Sequence, residues 1–351
     1  MRIIKLLTVV LLLCSACVSQ QQDKNEKVVL AYVTSWTSIM PDPNYLTHIN
    51  YAFGHVNETF NGVMINQPPR QGRANNDGRP TSEDRLKSIV ALKKQKPSLK
   101  IMLSIGGWGS GNFSEMAADE TNRLAFAADC KKVVDQFGLD GIDMDWEYPT
   151  SSSGRISSSP DDTKNFTLLM RDIRNAIGKN KLLTFASPSN ARYVDFKDVE
   201  PYIDFVNIMT YDMGNPPVHH TALFRSENTR RSSAEGVDAH IAAGIPVNKL
   251  NLGMAFYGRA THDSIPNSID YKNIIKLTGF SQQWDDVSKT PYLSDDNGKM
   301  VVTYDDARSI ASKCEYLLEK GMLGAMYWEY NGDDEDGTLR KAVFNGVMKK
   351  Q

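Results

Sequence analysis

Cysteine is scarce in this chain. Of 351 residues only 4 are cysteine, and Cys14 and Cys17 lie at the extreme amino end, leaving Cys130 and Cys314 for the fold. Two cysteines make no disulfide scaffold, and each sits in a helical pattern (124–137 and 307–320), where a small buried thiol is expected. An excess of either charge is also missing. The 40 Lys and Arg residues balance 42 Asp and Glu, for a net charge of −2, and no basic run occurs, so nucleic acid is not an expected partner. There are 6 histidines, and the pair His219-His220 has no third ligand at a suitable spacing. Neither a metal nor any other cofactor is therefore expected.

The amino end reads as an export segment. A short basic start, Met1 to Lys5, precedes the apolar run Leu6 to Leu13, which is too short for a stable bilayer anchor. Small residues directly before Cys17 resemble a bacterial lipoprotein cleavage site, although Cys14 departs from the usual leucine. Residues 1–27 are thus expected to be signal and polar tether, with a lipid on Cys17 as the only membrane contact. The expected location is the outer membrane or surface of a bacterium, with periplasmic or free secretion as the alternative. In that setting the Asn-x-Ser/Thr triplets at Asn57, Asn112 and Asn165 are chance matches.

What is present from residue 28 onward is an alternation of short apolar runs with longer amphipathic ones. Eight apolar runs stand out: Val28–Thr34, His48–Phe53, Lys100–Ile105, Gly141–Trp146, Leu182–Ala186, Phe205–Thr210, Leu250–Phe256 and Gly324–Trp328. Helical periodicity appears between them over Ser82–Lys94, Asn122–Phe137, Asp162–Ile177, Ala234–Ala243 and Asp305–Glu319. At 41% hydrophobic residues the chain can bury a large core. Eight strand-helix units predict an α/β fold, a single-domain (β/α)8 TIM barrel over 28–351, with an open doubly wound sheet as the alternative.

The stretch Leu139 to Pro149, LDGIDMDWEYP, carries the chemistry. As a strand, its period of two sends Asp143, Asp145 and Glu147 to one face and Ile142, Met144 and Trp146 to the other. Buried acids cost several kcal/mol each unless paired or protonated, so mutual repulsion and burial predict at least one protonated carboxyl near neutral pH. A solvated acidic edge or a cation site is the competing reading. The bulky apolar neighbours and Pro149, which ends the strand, oppose it.

This stretch resembles the active-site signature of glycoside hydrolase family 18, D-x-x-D-x-D-x-E, with all four acids at Asp140, Asp143, Asp145 and Glu147. Further family landmarks follow in order: Ser104-Ile105-Gly106-Gly107-Trp108, Met209-Thr210-Tyr211-Asp212, Phe256-Tyr257-Gly258-Arg259 and Met326-Tyr327-Trp328. The resemblance implies Glu147 as general acid, Asp145 as holder of a substrate acetamido group, Asp143 sharing its charge, Asp140 fixing the strand entry, and Tyr211 completing the catalytic group. It implies substrate contacts from Tyr32, Phe53, Gly107, Trp108, Met209, Asp212, Tyr257, Arg259 and Trp328, since pyranose faces stack on aromatic rings. With only about forty residues between Thr261 and Val302, the α+β insertion of many relatives is expected to be short or absent.

The function implied is endo-acting, chitinase-type hydrolysis of β-1,4-linked N-acetylglucosamine by a substrate-assisted retaining mechanism, in a monomer whose partner is a chitin-like glycan. Two alternatives share the fold. One is an endo-β-N-acetylglucosaminidase cutting N-glycan cores, and the other is a non-catalytic glycan-binding relative, which retention of Glu147, Asp145, Tyr211 and Asp212 opposes.

Overall fold

The computed structural model describes residues 26–66 and 80–349, so Cys17 and nearly all of the expected signal and tether lie outside the described residues. Eight parallel strands form the centre: β1 (Val28–Thr34), β2 (His48–Val56), β3 (Lys100–Gly106), β4 (Gly141–Asp145), β5 (Leu182–Pro188), β6 (Phe205–Met209), β7 (Leu250–Ala255) and β8 (Gly324–Trp328). Each pairs with the next, and β1 pairs with both β2 and β8, with Leu30 opposite His48 on one side and Met326 on the other. The sheet is closed, a (β/α)8 barrel, which excludes the doubly wound alternative.

The period-two pattern of the strands separates two apolar layers. Val29, Ala31, Val33, Ile101, Leu103, Ile142 and Met144 face outward into the main core. Leu30, Tyr32, Met102, Phe205 and Met326 fill the barrel interior. Over the outer layer lie α1 (Ser82–Val90), α2 (Phe113–Ala118), α3 (Glu120–Phe137), α4 (Asp162–Ile177), α5 (Ser233–Ala243), α6 (Ala307–Glu319) and α7 (Thr338–Val347). Five of these are the helices expected from periodicity, with ends displaced by a few residues. Six residues in α2 hold too few turns for a periodic pattern, and α7 starts after Gly337 with no side-chain cap. Cys130 and Cys314 are buried and unbonded, as expected.

Between β7 and β8 the insertion is short, and it is present. Tyr257–Ala260, Ser268–Asp270, Ser281–Asp285, Thr290–Ser294 and Met300–Thr303 form a five-stranded antiparallel sheet with one short helix, Tyr271–Ile274. Its edge strand Ser281–Asp285 buries no residue fully, so it carries no alternating apolar pattern to read.

A buried ion pair ties the barrel top together. Lys313 on α6 reaches Asp305 at 2.6 Å, both fully buried, and Asp305 also accepts from the Thr221 hydroxyl at 2.9 Å and the Ala255 amide at 3.2 Å. The pair thereby joins the segments that follow β6 and β7. Lys313→Met leaves Asp305 as an uncompensated buried charge and is expected to cost about 3–5 kcal/mol. Urea unfolding at neutral pH measures this; a loss within error of zero would remove the pair from the stability account.

Candidate active site

The strand β4 ends at Asp145, two residues before the last acid of the ladder. Its outward face is locked by Trp146, whose ring stacks on Phe113 of α2 at 5.3 Å and 13°, with Phe166 of α4 at 6.3 Å. At its foot, Asp140 accepts from the Ile101 amide at 2.8 Å and from Lys93 at 2.7 Å, fixing β4 against β3. Beyond Glu147, buried Asp162 accepts from the amides of Thr150 and Ser159 and from the Ser114 hydroxyl, which holds the following loop in place. The strand tip is thus fixed from both ends.

The three acids occupy three different environments. Asp143 is fully buried and accepts four hydrogen bonds, from Tyr32 (2.8 Å), Ser104 (2.8 Å), Thr184 (2.5 Å) and Asn207 (3.2 Å). Burial raises its pKa and the four donors oppose that rise. Asp145 is buried as well, yet its Oδ1 has no partner among the described residues. Burial first, then the charges of Glu147 and Asp143, push its carboxyl well above the usual range. Glu147 is half-buried beside the cavity, and burial raises its pKa to about 7. An acid with a raised pKa at the cavity edge therefore sits next to a carboxyl whose Oδ1 lacks a hydrogen-bond donor, with a third carboxyl that accepts four hydrogen bonds beneath.

Glycine controls the approach of β3 to this site. Gly106 has φ 129°, and a Cβ there would lie 2.1 Å from the Asp145 carbonyl oxygen. Gly107 has φ 90°, donates its amide to that same oxygen at 2.9 Å and would place a Cβ 2.6 Å from the Phe53 ring. Only glycine meets both demands. Gly106→Ala is expected to lower the thermal midpoint far more than Gly138→Ala, which also has positive φ but meets nothing within 4 Å; the latter should cost only about 1–2 kcal/mol. Equal midpoints for the two variants would contradict this packing argument.

Aromatic rings form the rim on two opposite arcs. Over β8, β1 and β2, Trp328 stacks on Phe53 at 5.6 Å and 17°, with Tyr32 at 5.6 Å and Trp36 at 6.4 Å. Across the barrel, Tyr148 stacks on Tyr193 at 5.0 Å and 11°, and Trp108 stands 65% exposed at 6.4 Å from Tyr148. Between the arcs, Tyr211 and Tyr257 pack edge to face at 6.1 Å. Asp212 accepts from Tyr257 at 2.9 Å and from Arg259 at 2.6 and 2.8 Å. Burial opposes its charge, but the His220 and Arg259 contacts prevail and hold its carboxyl well below the ordinary range.

A single cavity of about 1090 Å³ lies among these groups. Every candidate catalytic and substrate-binding residue of the sequence lines it except Asp143, which supports the site from below. Asn267 and Ser268 bring the insertion to one side. Sequence reasoning left out Tyr193, His55, Arg230 and Arg231, which also line the cavity. None belongs to a motif; the available indication was only that Tyr193 follows the carboxyl end of β5 by a few residues. His219 and His220 are buried away from any ligand cluster: His219 bonds Thr303 and Asp285, and His220 faces Asp212. Among the described residues no group of three metal-ligating side chains occurs.

The model of the glycosyl hydrolases family 18 matches residues 28–333. The chain belongs to this family. Among its relatives, Chitinase A1 of Niallia circulans is 29% identical over 87% of this chain and 56% of its own length. Chitinase 1 of Aphanocladium album is 30% identical over 81% of this chain and 75% of its own. A family 18 N-acetylglucosaminidase structure from Paenibacillus barengoltzii superposes with a TM-score of 0.78 at 34% identity, covering 92% of this chain and all of that one. The chain therefore spans little more than half of the first relative and the whole of the solved family 18 structure. The acid ladder, the Gly-Gly turn and the aromatic rim all lie inside the family 18 match.

Proposed function

We propose that this family 18 protein is an endo-acting chitinase that hydrolyses β-1,4 linkages between N-acetylglucosamine units of chitin or its oligomers. The observation that carries the reading is the pairing of Glu147, with its pKa near 7, and Asp145, whose buried Oδ1 lacks a donor. A substrate acetamido N–H supplies that missing donor. Held there, with Tyr211 beside it, the acetamido carbonyl oxygen attacks the anomeric carbon as Glu147 gives its proton to the departing glycosidic oxygen. The C–O bond to the leaving sugar breaks and an oxazolinium ring forms. Glu147, now ionised, removes a proton from water, which opens the ring at the anomeric carbon. Asp143, held by its four donors, shares the charge that Asp145 carries. Tyr32, Phe53 and Trp328 form the floor under the reacting sugar. Gly107, Trp108, Met209, Asp212, Tyr257 and Arg259 line the rest of its path.

The chitinase names of two relatives support this substrate class. Incubation with chitin oligomers and, separately, with an N-glycosylated protein tests it. Release of smaller oligomers from the first alone is expected; release of glycan from the second alone would replace the reading. The same proposal holds the protein to be an exported monomer, tethered by a lipid on Cys17 through the polar stretch Ser19 to Lys27.

The raised pKa of Glu147 sets a pH dependence. Its proton is needed for the first step, so turnover should fall as pH rises through about 7. Stability follows the same sign. The folded protein binds the Glu147 proton more tightly than the unfolded chain, so that contribution is present at low pH and lost as pH rises from the ordinary glutamate range through about 7. Glu147→Gln should therefore show a higher thermal midpoint than the parent above pH 7, with the gap closing toward pH 4. A gap that widens on acidification would show that the carboxyl is not held protonated.

A further inference from the structure

The two arcs of the cleft differ in charge. The β8-β1-β2 arc presents Trp328, Tyr32, Trp36 and Phe53, whereas the β4-β5-β6 arc adds two arginines, Arg230 and Arg231, to its aromatic pair. Both arginines lie on the segment between β6 and α5 and line the cavity. Neither forms an ion pair with a carboxylate among the described residues: Arg231 donates only to the Ser189 hydroxyl at 3.4 Å, and Arg230 has its carbonyl, not its guanidinium, engaged by Arg225. Among the acids lining this arc, Asp145 and Glu147 stand on β4 and just beyond it and form no ion pair with either arginine among the described residues. Asp212 is held by Arg259, and Glu235 by Arg225 and the Ser232 cap. Glu227 on the same segment is exposed and pairs with neither arginine. Arg192, next to cavity-lining Tyr193, is exposed and likewise without an ion-pair partner among the described residues.

Guanidinium groups recognise carboxylates through planar two-point hydrogen bonding and repel ammonium groups. Resting on the hydrolase reading above, we propose that the β4-β5-β6 arc selects its sugar by charge, favouring a unit that carries a carboxylate and disfavouring one with a free, protonated amine. Arg230 and Arg231 follow β6, two strands from β8 and the Trp328 floor and two from β4 and Glu147, and we assign to their side the sugar that leaves with the protonated oxygen. The glycan class implied is an N-acetylglucosamine oligomer whose leaving-side ring bears an acidic substituent, such as a lactyl ether.

Three tetramers test this, alike except for the leaving-side ring: N-acetylglucosamine, glucosamine, or N-acetylglucosamine with a 3-O-lactyl carboxylate. The expected order of kcat/KM at low salt is carboxylate, neutral, amine, with steps of roughly three- to tenfold, the scale of partly exposed charge contacts. In the Arg230→Gln, Arg231→Gln double variant the ratios of charged to neutral substrate should collapse toward one, and 0.5 M salt should compress them in the parent. Binding of the same tetramers to the Glu147→Gln variant gives the ranking independently of turnover. Cleavage of all three at one rate, or an order untouched by the double substitution, overturns the charge selection and leaves the hydrolase reading standing. Failure to cleave the neutral tetramer, with the binding order intact, removes the hydrolase reading and leaves the charge selection.

Discussion

Glu147→Gln should lower kcat by ~10²–10⁴-fold, the ordinary contribution of a positioned general acid, while oligomer binding persists. The amide keeps the shape of the side chain and deletes the transferable proton. Of the neighbouring acids, Asp145 also has a raised pKa but is assigned to the acetamido group, and the other two are engaged. Asp143 is saturated by four donors, and Asp212 is held ionised by Arg259 and His220. The fall of activity through pH 7 should vanish in the variant, because the group that titrates there is gone. Asp145→Asn should also lose most turnover, since its side-chain oxygen then carries no charge to set against the developing oxazolinium. Steady-state rates with calorimetric affinities separate the two roles. Near-normal kcat in Glu147→Gln would place the acid elsewhere.

The second large effect lies in the substrate. Replacing the acetamido group on the reacting sugar by a hydroxyl, as in a cello-oligomer, should abolish cleavage while leaving weak binding to the aromatic rim. The ring faces still stack on Trp328 and its neighbours, but no carbonyl oxygen remains to attack, and Asp145 Oδ1 stays without its donor. A free amine at that position should be equally inert, for the same reason. Asp143 cannot replace the acetamido oxygen as nucleophile, since it is engaged on both oxygens beneath the site. Chromatography of cello- and chito-oligomer digests compares the rates directly. Comparable hydrolysis of both would mean that the substrate group takes no part.

Much of this site is legible in the sequence because each part leaves a local trace. The period of two separates Asp143 and Asp145 from Ile142, Met144 and Trp146, and the structure keeps that division: the acids face the barrel and Trp146 packs between Phe113 and Phe166. Eight apolar runs gave eight barrel strands, because inward and outward faces are both buried and each run stays apolar. What escaped has weaker traces. Two strands of the insertion sheet, Ser268–Asp270 and Ser281–Asp285, are short and partly exposed with few apolar positions. Arg230 and Arg231 belong to an irregular segment, and their place at the cavity follows from closing the barrel, which brings β4, β5 and β6 side by side. Tyr193 likewise meets Tyr148 only across the β4–β5 neighbourhood. Local pattern places residues on strands; which strand ends converge depends on the closed sheet.

In the proposed mechanism the substrate's own acetamido oxygen attacks first, and water activated by Glu147 attacks second. Two inversions at one carbon restore the original configuration. Proton NMR of a chito-oligomer digest, recorded in the first minutes before the sugar ring equilibrates in solution, measures this directly. The newly formed reducing ends should be β. Initial release of α product, even with chitin as the substrate, would contradict the mechanism drawn from Asp145 and Glu147.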